Sequence, residues 1–203
     1  MSDLRLSVCV GALAMMVPFV AHAQLCTNLS GSPAPTPEVY AANAVFLKYL
    51  STGPGGGDDK PQLHKSASNN PSFVGLDLAN VHSIAVTIRL GSGVGPVMWS
   101  ATIPAASGLW ASVTLPSGVV RWTFTDPAVT YGVKKARVLA YPGGIYIVDK
   151  FFGANANIGN APVPPGVAVH AMVEIYDGLG AGTCYDGVTQ PCTGTGNTQK
   201  CRV

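Results

Sequence analysis

Residues 119–152 constrain this chain most, because they admit little besides three strands broken by tight turns. Val120, Trp122 and Phe124 alternate with Arg121, Thr123 and Thr125. A period of two sends one set to a core and the other to water. Asp126-Pro127 and Pro142-Gly143-Gly144 punctuate the run, and both are turn formers.

The same alternation recurs on either side. Ile84, Val86, Ile88 and Leu90 form one apolar face within Val81 to Leu90, with His82 and Arg89 on opposite faces. Val97 to Ile103 and Leu109 to Leu115 follow at the even spacing of a sandwich or barrel. Val167, Val169, Ala171, Val173 and Ile175 make the longest such face. The expected fold is all-β, an antiparallel β-sandwich. Composition agrees: 24 Gly and 16 Pro supply turns, and only 11% of residues are charged. Glu38 to Leu50 is open between a helix started at Pro37 and a strand.

The beginning of the chain reads as an address. Arg5, an apolar run from Leu6 to Val20 and then Ala21-His22-Ala23 have the layout of a secretory signal peptide cleaved before Gln24. The run is shorter than the roughly 20 residues that span a bilayer, so no membrane span is expected in the mature protein. The organisation expected is a leader over 1–23, an extended arm over 24–43, a sandwich over 44–185 and a Cys/Gly-rich tail over 186–203. Secreted or periplasmic localisation follows. Asn28 opens a glycosylation sequon.

Beyond the leader stand Cys26, Cys184, Cys192 and Cys201, an even number that in an exported chain implies two disulfides with three possible pairings. We take Cys26–Cys184 with Cys192–Cys201, which ties the start of the chain to its end. No CxxC knuckle supports zinc, and no metal or cofactor is expected. Asp58 and Asp59 lack calcium-loop spacing and read as a solvated loop. A formal charge of +2, spread without clusters along the sequence, gives no footprint for nucleic acid or anionic membranes.

Several segments together carry a resemblance: Ile103-Pro104-Ala105-Ala106 before Gly108-Leu109-Trp110, Trp122 to Asp126, Gly132-Val133-Lys134-Lys135, Phe152-Gly153-Ala154-Asn155 and Cys184-Tyr185. Over Ala44 to Tyr185 the chain resembles a loosely defined β-rich module of secreted bacterial proteins, one with no activity to carry over. The resemblance implies strands at Ala44–Leu50 and Gln62–Lys65. The C-terminal cysteine cluster departs from it.

Catalytic chemistry has few carriers. The histidines past the leader are His64, His82 and His170, and no Gly-x-Ser-x-Gly elbow is present. His170 and Glu174 share a strand face but stand about 13 Å apart, too far for an acid–base pair. Asp126, Asp177 and Asp186 precede Pro or Gly, as turn residues do. Asp149 interrupts an apolar strand, so it is on an edge, paired with a Lys or Arg, or functional, and the ion pair is the favoured reading. The function expected is a non-catalytic binding or structural module contacting carbohydrate or a cell-surface partner. Tyr146, Tyr176 and Trp110 are the contact candidates, and Trp122 is expected in the core. The alternatives are a small secreted hydrolase using His170 or the Asp residues, and a subunit of a surface assembly.

Overall fold

The computed structural model describes residues 38–39, 41–48, 59–69, 75–91, 95–143, 145–154, 156, 158, 163–164, 166–177, 182–194 and 198–202. The leader, Cys26 and Asn28 lie outside them, as does the side chain of Cys184, and so does the Cys26–Cys184 pairing.

The described residues are all-β, without a helix, in twelve strands: β1 (Glu38–Val39), β2 (Ala41–Lys48), β3 (Lys60–Asn69), β4 (Ser83–Leu90), β5 (Val97–Ile103), β6 (Trp110–Thr114), β7 (Val120–Thr125), β8 (Val133–Tyr141), β9 (Ile145–Gly153), β10 (Val169–Tyr176), β11 (Gly182–Val188) and β12 (Thr198–Cys201). They build two packed sheets, ordered β1-β11-β10-β4-β5 and β12-β2-β3-β9-β8-β7-β6. Every pairing is antiparallel except the two-residue pairing of β1 with β11. The segment open between helix and strand is thus strand β2, and residues 62–65 sit inside the longer β3.

One core holds the sheets together. β10 contributes Val169, Ala171, Val173 and Ile175, and β4 contributes Ile84, Val86 and Ile88, all without exposed surface. From the other sheet come Trp110, Trp122, Phe124, Ala136, Val138, Phe151 and Leu63. The faces that alternation marked as apolar are the faces that meet. Burying each large aliphatic or aromatic side chain contributes roughly 1.5–3 kcal/mol.

Two carboxylates shape the connections. Asp126, 2% exposed, accepts hydrogen bonds from the amides of Ala128 (3.0 Å) and Thr130 (2.6 Å), closing the turn from β7 to β8. Asp59 corrects the solvated-loop expectation: it is buried, and its Oδ2 accepts from the Ile158 amide at 2.9 Å. A backbone amide 99 residues away takes the carboxylate out of water.

The end of the chain is more than a tail. β12 adds an edge strand to the seven-stranded sheet by pairing with β2. Cys192 and Cys201 form a disulfide. The Gln199 side chain accepts from the Val163 amide (2.7 Å) and donates to the Val163 carbonyl (2.9 Å).

Candidate functional site

The sandwich offers three surfaces where chemistry could gather: the outward face of β10, a cleft at one hairpin end, and the outer face of the larger sheet.

On β10 the residues alternate with the core set, so His170, Met172, Glu174 and Tyr176 share the other face of the sheet. Register brings Arg89 opposite His170 and Ser83 opposite Tyr176 on β4. His170, Met172 and Glu174 are nevertheless buried. Arg89 donates through Nη1 to the Gly95 carbonyl at 3.2 Å. Its Nε and the Oε1 of Glu174 make no hydrogen bond to the described residues. Burial pushes the Glu174 carboxyl up to about 7, because its charged form loses water without gaining a partner. Burial also raises the Tyr176 phenol; a hydrogen bond with Ser83 opposes that shift, and the Glu174 charge adds to it. Ser83 Oγ accepts from the Ala105 amide at 2.9 Å.

This row holds a proton near neutral pH, but it does not assemble a nucleophilic centre. The three histidines are dispersed: His64 on β3 of the larger sheet, His82 in the loop before β4, and His170 on β10. His82 accepts from the Asp77 amide at 3.0 Å, and His64 lies near Gln62 Oε1 at 3.3 Å. No group of three or more His, Cys, Asp or Glu suited to a metal ion occurs among the described residues.

The aromatic candidates separate. Trp110 is 9% exposed, and its ring packs on Phe124 with centroids 5.3 Å apart. That packing leaves little ring face for a ligand. Trp122 is buried between the sheets. Tyr176 is half-buried beside Ser83. Tyr146 stands in register with Ala140, while its side chain lies outside the described residues. Arg137 pairs with Lys150 but Val138 pairs with Val148, so Asp149 is the extra residue of a bulge. The bulge breaks the period-2 count between Phe151 and Tyr146. Its carboxylate forms the expected ion pair, with Arg137.

The cleft lies beside Ala140. It measures about 240 Å³ and is bordered by Leu76, Val120, Ala140, Tyr141 and Pro142, with Gly75, Gly118 and Gly143 at its rim. All three glycines have positive φ, between 79° and 86°, so the walls are turn backbone that a side chain would strain. Sequence reading missed this cleft because its walls come from three separate turns.

The outer face of the larger sheet is basic. Lys135, Arg137 and Lys150 occupy its middle strands, and Phe152 lies among them with the His64 ring at 5.2 Å and Lys150 Nζ at 6.0 Å.

No protein-family model, no curated protein and no solved structure matches this chain.

Proposed function

We propose that the protein is a secreted, non-catalytic binding module whose ligand is carbohydrate, held at the hairpin end of the sandwich. The observation that carries this reading is the Tyr141 cleft. A tyrosine offers an apolar ring face for the C–H side of a sugar and a hydroxyl for its polar edge. Turn backbone at Gly75, Gly118 and Gly143 leaves the rim without side chains in the way. The volume lies below the roughly 300–1,000 Å³ of drug-sized pockets, which suits one sugar ring rather than a large cofactor. Export is supported by the leader-like residues 1–23 and by the Cys192–Cys201 disulfide, a bond that persists in oxidising compartments.

The test is a glycan array probed with protein beginning at Gln24, followed by titration of the best neutral glycan against Tyr141→Ala. Binding that weakens at least tenfold in a variant with unchanged thermal unfolding supports the reading. Silence across the neutral glycans, or binding indifferent to Tyr141, overturns it.

A further inference from the structure

The basic residues look scattered in sequence, yet the fold collects them. Across β7, β8, β9 and β3, register aligns Thr123, Arg137, Lys150 and His64 in one row. The next row is Thr125, Lys135, Phe152 and Gln62. The register of β12 and β2 extends that second row to Lys200. Lys60 and Arg121 lie two residues along their strands from Gln62 and Thr123, and so on the same face. Phe124, Ala136, Phe151 and Leu63 alternate with these rows and fill the core, so the rows themselves face outward.

Asp149, bound to Arg137, is the one carboxylate on this face among the described residues. The other sheet has the opposite balance: its strands hold Glu38, Glu174 and Asp186 against a single Lys or Arg, Arg89. A formal charge of +2 therefore conceals a sandwich with one basic side. Neighbouring strands lie about 4.8 Å apart, and alternate residues on a strand about 6.7 Å. Both spacings fall inside the ~8 Å screening length at physiological salt, so Arg137 and its neighbours Lys135 and Lys150 reinforce one another's field.

We propose that the outer face of the seven-stranded sheet binds an acidic polysaccharide, with Lys60, Arg121, Lys135 and Lys150 meeting its carboxylate or sulfate groups. Thr123, Thr125 and Gln62 stand between the cations as neutral partners for sugar hydroxyls. Single-stranded nucleic acid fits less well, because it needs successive aromatic platforms. Phe152 and His64 are the described rings of these rows and pack on each other, while Phe46 stands in register between Gln62 and Lys200. An anionic membrane fits less well too, since its ligands insert Trp, Phe or Leu, whereas the exposed side chains of these rows are Lys135, Thr123 and Thr125. The inference shares with the proposed function only a carbohydrate ligand. It concerns a different surface, so the two readings fail separately.

The experiment titrates protein beginning at Gln24 with dextran sulfate and polygalacturonate, using neutral dextran, a poly(dT) oligonucleotide and anionic phospholipid vesicles as comparisons. Binding to at least one acidic polysaccharide, steeply weaker as salt rises, is expected. The triple variant Lys60→Gln, Lys135→Gln, Lys150→Gln should lose at least tenfold in affinity and flatten the salt dependence. Arg202→Gln, an exposed charge outside the strands, should leave acidic-polysaccharide binding unchanged. The two polymers separate sulfate from carboxylate recognition. No binding to either, binding unaffected by the triple variant, or tighter binding to poly(dT) or vesicles overturns the inference. A neutral glycan that still depends on Tyr141 would then leave the cleft reading standing.

Discussion

Glu174 makes the sandwich less stable as pH rises, and replacing it with glutamine should abolish that loss. The carboxyl is 6% exposed in the middle of the five-stranded sheet. Burial raises it from 4.5 to about 7. The unfolded chain ionises near the ordinary value while the folded chain keeps its proton up to about 7. Between those two values the native state therefore binds more protons than the unfolded state. By linkage, stability is full below about 4.5, falls as pH rises through the window, and levels off above 7. At about 1.4 kcal/mol per unit the ceiling is roughly 3 kcal/mol. Tyr176 and Ser83 leave polar groups around the site, so we take about 2 kcal/mol.

Glu174→Gln keeps the shape and stays neutral at every pH. Urea denaturation of both proteins at pH 4 and pH 8, disulfides intact, reads the effect directly. The variant should gain about 2 kcal/mol over wild type at pH 8 relative to the gap at pH 4. In a chain of this size that is a melting temperature about 4–8 °C higher. His170 and Tyr176 share the face but are present in both proteins, so their titration cancels in the comparison. The reasoning fails if the gap between the two proteins is the same at both pH values, or if it moves in favour of wild type at pH 8.

Three further substitutions test the packing. Cys201→Ser opens the disulfide across a sequence separation of 9, which should cost about 2.5 kcal/mol in urea denaturation, matched by reduction of the wild type. Gly153→Ala would place its Cβ 2.6 Å from Trp99 Cζ2 and 2.7 Å from Pro61 Cγ, so a loss of about 1–3 kcal/mol should appear in the melting curve. Asp126→Ala removes the acceptor of two turn amides and should cost about 2 kcal/mol, with faster hydrogen exchange at Ala128 and Thr130.

Legibility in the sequence followed the range of the interaction. Alternation over Val120 to Thr125 and Val169 to Tyr176 is a local property, so the strands and their buried faces could be read directly. The Asp126 turn is local as well. Asp59 was misjudged because its partner, the Ile158 amide, is 99 residues away. Trp110 stands first in its strand, where alternation gives little guidance, and only the pairing with β7 shows that it opposes Phe124. Tyr146 lies beyond the bulge at Asp149, and a period of two does not survive an inserted residue.

Net charge failed in a more instructive way. Sequence distance spreads Lys60, Arg121, Lys135, Lys150 and Lys200 over 141 positions, and a window scan reports no cluster. Strand pairing compresses that span, because each hairpin or crossover returns the chain to within about 4.8 Å of a strand already placed. A sandwich also sorts charges by sheet, since every strand commits its polar residues to one outer face. A weakly charged β-sandwich can therefore present a strongly charged side, provided its few acidic residues fall on the other sheet or in turns. Among the described residues they do: Asp59, Asp77 and Asp126 serve backbone amides, Glu38, Glu174 and Asp186 belong to the five-stranded sheet, Asp177 follows its strand β10, and Asp149 is the one carboxylate beside the basic rows. Removing that one carboxylate, in Asp149→Asn, would free Arg137 for the same anionic groups and should strengthen acidic-polysaccharide binding. A variant that bound more weakly would mean that the ion pair holds the face in shape rather than screening it.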